Sequence, residues 1–304
     1  MITKKEHNNI IWIDLESPTK EEVHEIMDEY NIHPTVAEEM LLPSIKPKVE
    51  LYEDSIYLIL HFPAFKHTHK GQHNQEIDFV IGKDFIITTR YDTIDSMHTF
   101  SKIFEVHDAL HTDVHRDHVG LIFLQMIKEL YRSLEHELEY INDSLHEIET
   151  NVFKGKEKEM VVELSSVSRD LLNFKQAICT HKDIVALFQT LGKRLFGDDF
   201  PYQLESLQHE RSKVLHSLET NVAFLSELRE TNNSLLSTKQ NEVMKVLTIL
   251  AFITFPLSLV ASVFGMNTTY TPVLGIENDF WIIVGVMMFA TFLMFLYFKH
   301  KKWL

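Results

Sequence analysis

VLTILAFITFPLSLVASVFGM occupies positions 246–266 and FWIIVGVMMFATFLMFLYF positions 280–298. Neither run contains a charged residue. Each matches the ~20 residues needed to cross ~30 Å of hydrocarbon as a helix. A buried core helix is the ordinary explanation of one apolar run, but two full-length runs in tandem argue for a membrane hairpin. Two spans anchor a chain and are too few to enclose a channel, so a pore built from this chain requires a ring of copies.

The flanks set the orientation. Lys239 and Lys245 precede the first run, and Lys299, Lys301 and Lys302 follow the second. The connecting loop from Asn267 to Asp279 has no Lys or Arg and carries Glu277 and Asp279. The positive-inside rule then places both ends in the cytosol and the loop outside, in a bacterial-type plasma membrane. Tyr270, Trp281, Tyr297 and Trp303 fall where interfacial aromatic belts are expected.

No Gly or Pro occurs from Tyr202 to Phe255, and Pro201 suits a first helical turn. Apolar residues recur at alternating spacings of three and four: Leu204, Leu207, Val214, Leu218, Val222, Leu225, Leu228, Leu235 and Val243, with Arg211, Asn232 and Lys239 interrupting. The pattern runs without a break signal into the first span, so a stalk helix of about 65 residues, about 100 Å long, is expected. Its continuation places Asn241, Met244, Thr248, Ala251, Phe255, Ser258 and Ser262 on one side, with Met244, Leu247 and Phe255 as apolar constrictions along it. That side reads equally as a pore lining, wet at its ends and gated by dry constrictions, or as small residues serving close helix packing. Pro256 removes one helical hydrogen bond within the span.

The rest of the chain reads as α/β and then helical. A strand is expected at Ile10–Leu15, and a helix opening at Pro18 with Ser17 as N-cap. Hairpins are expected from Pro47–Tyr52 with Ser55–Phe62 and from Glu76–Ile81 with Phe85–Arg90. Helices are expected at Leu121–Glu149 and Glu157–Phe188, broken by Lys154-Gly155-Lys156 and hence antiparallel. The layout is an α/β subdomain over residues 1–95, a helical hairpin region over 96–200, a stalk over 201–245, spans at 246–266 and 280–298 around an extracytoplasmic loop at 267–279, and a basic tail at 299–304. The fold class is an α+β cytosolic N-terminal domain with a long helical stalk and two C-terminal transmembrane helices.

Composition narrows the partners. Net charge is −15 over 304 residues, which argues against a nucleic-acid partner, since that needs Lys/Arg stripes. A single cysteine, Cys179, excludes an internal disulfide framework. The first residues, MITKKEHNNIIWIDLESP, contain no stretch apolar enough for a secretory signal. Mean hydropathy is near zero, as expected when a large soluble part is joined to two spans. Eighteen histidines are present. Two clusters, His67, His69 and His73, and His107, His111, His115 and His118, invite a metal reading. Neither has fixed ligand spacing with a carboxylate, so solvated surface histidines are the plainer explanation. No nucleophile–base pair, Gly-rich phosphate loop or HExxH points to an enzyme, and no organic cofactor is expected.

Asn241-Glu242-Val243-Met244-Lys245-Val246-Leu247-Thr248, then Phe255-Pro256-Leu257, then Phe264-Gly265-Met266-Asn267, resembles the CorA family of divalent metal-ion (magnesium/cobalt) transporters. So do the closing Lys301-Lys302-Trp303-Leu304, Ile32-His33-Pro34 with Glu38-Glu39, and Pro47-Lys48-Val49-Glu50. The resemblance implies a homopentameric funnel whose first spans line a pore, with Gly265, Met266 and Asn267 as selectivity filter. It implies passive, membrane-potential-driven movement of hydrated Mg²⁺, with Co²⁺ or Ni²⁺ as further cargo. It also implies inhibition by cytosolic Mg²⁺ bound between subunits through acids that match Glu39 and Glu230. The chain departs from the family after the filter: Thr268 follows Asn267, and Thr271-Pro272-Val273-Leu274 lacks the loop acid. Two alternatives stand beside this reading. One is a zinc transporter of the same architecture, favoured by the histidine content. The other is a membrane-anchored metal sensor or scaffold without a pore.

Overall fold

The computed structural model describes residues 2–7, 10–63, 74–91, 94, 97, 100–102, 118–266, 278–301 and 303. It divides into two compact units, Met1–Arg229 and Glu230–Leu304.

The first unit is built on a six-stranded sheet of β1 (Ile2–His7), β2 (Ile10–Glu16), β3 (Lys48–Leu51), β4 (Ile56–Pro63), β5 (Asn74–Ile81) and β6 (Phe85–Arg90), in the order β1-β2-β6-β5-β4-β3. β2 and β6 pair parallel, with Ile13 opposite Ile87, and every other pair is antiparallel. Both hairpins expected from the alternation of β-branched and aromatic residues are present. β1 escaped the sequence reading because Thr3-Lys4-Lys5-Glu6-His7 has no apolar alternation. It is an edge strand, and edge strands carry lysine to deter further pairing. Its register, Ile2 opposite Leu15 through His7 opposite Ile10, is held by its neighbour.

Helix α1 (Lys20–Tyr30) and helix α2 (Pro34–Glu39) cover one face. Ser17 is not the N-cap of α1. Thr19 is, in a capping box: its hydroxyl accepts from the Glu22 N–H at 3.3 Å, and the Glu22 carboxylate accepts from the Thr19 N–H at 2.9 Å. Ser17 instead takes a left-handed backbone, φ 46°, and its hydroxyl donates to the Tyr91 carbonyl at 3.1 Å. Pro18 lies outside the helix. Ile13, Leu15, Tyr57, Ile59, Val80 and Ile87 of the sheet pack with Ile26, Ile32, Val36 and Met40 to make this side of the core.

The other face carries helix α3 (Val119–Phe153) and helix α4 (Glu157–Phe196). They turn at Lys154-Gly155-Lys156, where Gly155 takes φ 89°. Phe123–Phe188 at 4.5 Å and Tyr131–His181 at 3.0 Å join positions roughly equidistant from that turn, so the two helices run antiparallel. A ladder of aromatic rings passes from Phe79 in β5 to Phe123, to Phe188 and on to Phe200, at centroid distances of 5.1, 4.5 and 5.7 Å. Phe200 opens helix α5 (Phe200–Phe264). Its ring lies against Gly120 and Gly192, where a Cβ would come within 2.5 and 2.3 Å of ring atoms. The two glycines are therefore what let α3 and α4 close on the start of α5. Along the first part of α5, Leu204, Leu207, Val214, Leu218, Asn221, Leu225 and Leu228 are buried in a stripe of threes and fours. The Asn221 amide donates to the Leu138 carbonyl at 2.9 Å and its oxygen accepts from Asn142 at 2.8 Å, tying α5 to α3.

His181 is fully buried between the sheet and α3. Its Nε2 lies 2.8 Å from the His61 carbonyl, which can only accept, so Nε2 carries the proton and Nδ1 accepts from the Tyr131 hydroxyl at 3.0 Å. Burial brings its pKa down to about 4 from 6.5, against the His61 carbonyl bond, which works to raise it. A base that binds its proton more weakly when folded costs stability once the unfolded chain begins to protonate. The protein therefore loses stability as pH falls from about 6.5 to about 4, by roughly 3 kcal/mol from this side chain at ~1.4 kcal/mol per unit. Urea unfolding at several pH values should show this loss in the parent and a shallower one in His181→Gln. Equal slopes in the two proteins would contradict it.

Candidate permeation helix and cation site

In the second unit, α5 continues to Phe264 and is followed by helix α6 (Asp279–His300). Both are long and apolar enough to cross a membrane, and the most apolar windows of the two are 6% and 0% buried. Leu250, Phe252, Phe255 and Leu259 are each about 60–70% exposed. Soluble proteins do not leave such contiguous apolar surface bare. Between Asn232 and the end of α5, Ile249 is the one buried residue. Asn232 itself, read in the sequence as an interruption of the stripe, is buried.

Asn241, Met244, Leu247, Phe255, Ser258 and Ser262 all lie on α5 and are all exposed. At 3.6 residues per turn they fall within an arc of about 120°. The helix stays continuous through Pro256. Two residues earlier the Thr254 hydroxyl donates to the Leu250 carbonyl at 2.9 Å, and Thr248 donates to the Met244 carbonyl at 2.8 Å. Both threonines thus spend their hydroxyls on the helix backbone. α5 ends as the Gly265 N–H donates to the Ala261 carbonyl at 3.0 Å and the Met266 N–H to Val263 at 3.4 Å. A Cβ at position 265 would sit 3.1 Å from the Ala261 carbonyl oxygen, close enough to disfavour any larger residue. Gly265 and Met266 are exposed; Asn267 lies outside the described residues.

Glu39 closes α2 in the first unit. Its carboxylate is 2.5 Å from the Lys48 ammonium, which also reaches Glu50 at 3.1 Å and lies 5.1 Å over the Tyr57 ring. Burial works to lower the Lys48 pKa, but the hydrogen bonds to Glu39 and Glu50 outweigh it and hold it above the usual lysine range. A cation arriving at Glu39 therefore competes with a lysine already there. Glu230 is the first residue of the second unit and is exposed. Its neighbour Arg229 donates to the Leu164 carbonyl at 3.4 Å.

Among the described residues, no group of three or more His, Cys, Asp or Glu side chains is placed to hold a metal ion. His67, His69, His73, His107, His111 and His115 lie outside the described residues. His118 precedes α3, stacks on Phe196 at 5.1 Å and meets Gln203 at 3.1 Å, which is a packing role.

One polar cluster went unread in the sequence. His61, Glu76 and Asp78 lie on the α1/α2 face of the sheet, where His61 faces Glu76 and Ile59 faces Asp78 in register. Glu76 and Asp78 are buried, 7% and 1% exposed. The signal was the spacing Glu76-Ile77-Asp78, which puts two acids on one side of a strand that is apolar on the other.

Comparison with known proteins bears on the family and the fold. The cobalt/magnesium transport protein CorA of Thermotoga maritima is 26% identical over 96% of this chain and 83% of its own length. The complete CorA magnesium transporter from Methanocaldococcus jannaschii superposes with a TM-score of 0.85 at 20% identity, covering 99% of this chain and 93% of that one. The cytoplasmic domain of ZntB from Vibrio parahaemolyticus superposes with a TM-score of 0.56 at 13% identity, over 76% of this chain and 88% of that one. The family model described as CorA-like Mg²⁺ transporter protein matches residues 7–300, nearly the whole chain, and the chain belongs to that family of membrane ion transporters, which are not enzymes.

Proposed function

We propose that this chain assembles as a homopentamer that lets hydrated divalent cations, above all Mg²⁺ and also Co²⁺ or Ni²⁺, pass down the membrane potential. The observation that carries this reading is the apolar end of α5, exposed along its length in one chain and running straight into Gly265-Met266. A ring of copies covers one side of that helix with neighbours, leaves another to lipid and α6, and turns the arc from Asn241 to Ser262 toward the axis.

In that ring Ser258 and Ser262 wet the outer part of the path and Asn241 the inner part, while Met244, Leu247 and Phe255 narrow it with apolar side chains that gate by dewetting. Asn267 follows the end of α5, and five of its amides with Gly265 and Met266 form the filter. Neutral amide oxygens suit Mg²⁺, which sheds water reluctantly: they hydrogen-bond its hydration shell without trapping the ion. A divalent ion gains roughly 4–5 kcal/mol per 100 mV, so no nucleotide is required. The lysines at both ends of the spans support cytosolic termini.

Regulation follows from the acids. Glu39 of one subunit and Glu230 of another bind cytosolic Mg²⁺, hold the ring symmetric and closed, and release it when the ion leaves and like charges repel. Lys48 occupies Glu39 when the ion is absent. A zinc cargo is the second reading, favoured by the likeness of the soluble part to the ZntB cytoplasmic domain.

In proteoliposomes with an inside-negative potential, the parent should take up Mg²⁺, and Asn267→Ala should reduce that uptake at least about tenfold. Undiminished uptake by the variant would remove the filter assignment, and Zn²⁺ uptake without Mg²⁺ uptake would favour the second reading. Glu39→Ala combined with Glu230→Ala should raise the cytosolic Mg²⁺ needed for half-inhibition about tenfold, a loss of ~1.4 kcal/mol. Unchanged inhibition would take the pair out of the account.

A further inference from the structure

The α1/α2 face of the sheet buries acidic side chains at one place. There His61 and Tyr57 of β4, Glu76 and Asp78 of β5, and Tyr91 just beyond β6 meet beneath the segment that leaves α2. Glu76 accepts the Ser44 N–H on both oxygens, at 2.8 and 2.7 Å, and lies 3.1 Å from His61 Nε2. That nitrogen is also 2.9 Å from the Ser44 carbonyl. Both of its partners only accept, so Nε2 carries a proton. Asp78 Oδ2 lies 3.2 Å from the Tyr57 hydroxyl and 3.1 Å from the Tyr91 hydroxyl. The Tyr91 hydroxyl is in turn 3.3 Å from the main-chain carbonyl of Glu39.

Proton counting decides the state of Asp78. The Tyr91 hydroxyl has one hydrogen and stands between two oxygens that, with Asp78 ionised, could only accept. Asp78 Oδ1 is buried and meets no donor among the described residues. A buried acceptor without a donor is costly, and more so when charged. One proton on Asp78 relieves the mismatch: it satisfies Tyr91 or the neighbouring Glu76, and the Tyr91 hydrogen goes to Glu39.

We infer that Asp78 is a neutral acid that positions Glu39, acting through Tyr91 on the Glu39 carbonyl while Glu76 and His61 hold Ser44 as a second tether. Its bearing on cation control rests on the regulatory reading of Glu39. Burial first, and then the charge and proximity of Glu76, push the Asp78 carboxyl well above the usual carboxylate range. At His61 burial opposes the proton, but the bonds to Glu76 and Ser44 outweigh it and raise its pKa. The other ionisable groups facing the cluster are Tyr57, Tyr91, Lys48 across the Tyr57 ring, and the Glu39 carboxylate. The sign is the same for Asp78 and His61. Each binds its proton more tightly when folded than when unfolded, so the stability they contribute declines as pH rises through their raised folded-state values. Ionised Asp78 faces Glu76 as a like charge, and the tether on the segment 39–44 loosens.

The test uses the full chain in detergent, with amide hydrogen exchange over residues 39–46 and a Mg²⁺ titration of the thermal midpoint. Tyr91→Phe should exchange about tenfold faster in that segment and need several-fold more Mg²⁺ for half its effect. Asp78→Asn, which imitates the neutral acid, should match the parent at pH 7 and lose the parent's drop in Mg²⁺ response as pH is raised. Unchanged exchange in Tyr91→Phe overturns the inference, as does an Asp78→Asn variant displaced as far as Asp78→Ala at pH 7. Glu39→Ala separates the two claims. If it shifts the Mg²⁺ midpoint and Tyr91→Phe does not, positioning fails alone. If it leaves the midpoint in place while Tyr91→Phe still loosens the segment, the regulatory reading of Glu39 fails and the positioning stands.

Discussion

A helix that enters hydrocarbon must satisfy its own backbone, because the bilayer core offers no donors or acceptors. α5 meets that condition from Phe200 to Phe264 except at Pro256, which withholds one N–H from the helix. Its early turns are held by packing: the Phe200 ring between Gly120 and Gly192, the aromatic ladder back to Phe79, and the Asn142–Asn221 bond. Past Asn232 that packing stops, and apart from the buried Ile249 the side chains are exposed or only partly covered. Only the backbone hydrogen bonds carry the helix onward. The polar residues Asn241, Ser258 and Ser262 and the apolar Met244, Leu247 and Phe255 share one side of this uncovered stretch. In a two-span chain this is the surface that other copies must complete, and the proposed transport depends on it.

The membrane hairpin, the long helix and most strands were legible in the sequence because each follows from a strong local rule. Uncharged runs of span length, unbroken three-and-four spacing, and β-branched alternation around short turns leave little freedom. The failures have equally physical causes. β1 is polar and exposed, so its existence depends on pairing with β2 rather than on its own pattern. Thr19 displaced Ser17 as cap because Glu22 stands at the reciprocal capping-box position for Thr19. Asn232 looked like a break in an apolar stripe, yet burial does not exclude a polar side chain from a stripe position. Of the candidate site, the arc on α5 was readable from helical period alone. The partner of Glu39 was not, because Lys48 comes from another element and only the fold brings it within 2.5 Å.

Lys48 and the cluster beneath α2 give the soluble part a chemistry of its own. A carboxylate paired with a lysine is neutralised without metal, so in the proposed regulation binding of a divalent ion is an exchange of cations rather than the filling of a bare acidic site. In that reading the exchange lowers apparent affinity. The same segment is tethered from below by His61, Glu76, Asp78 and Tyr91, where donors and acceptors balance only when protons are in place. Buried networks of this kind are rigid when satisfied and costly when not.

The central claim is that one side of the first span faces water along a path through the membrane. Thiol accessibility tests it most directly. With the exposed Cys179 replaced by Ser, single cysteines at Ser258, Ser262, Val260 and Leu250 would be challenged in proteoliposomes with a charged, membrane-impermeant thiol reagent from the extracytoplasmic side. The account predicts fast labelling at Ser258 and Ser262, with loss of Mg²⁺ flux, and slow labelling at Val260 and Leu250, which lie off the arc. Uniform protection of all four positions would mean that the hairpin is an anchor without a pore.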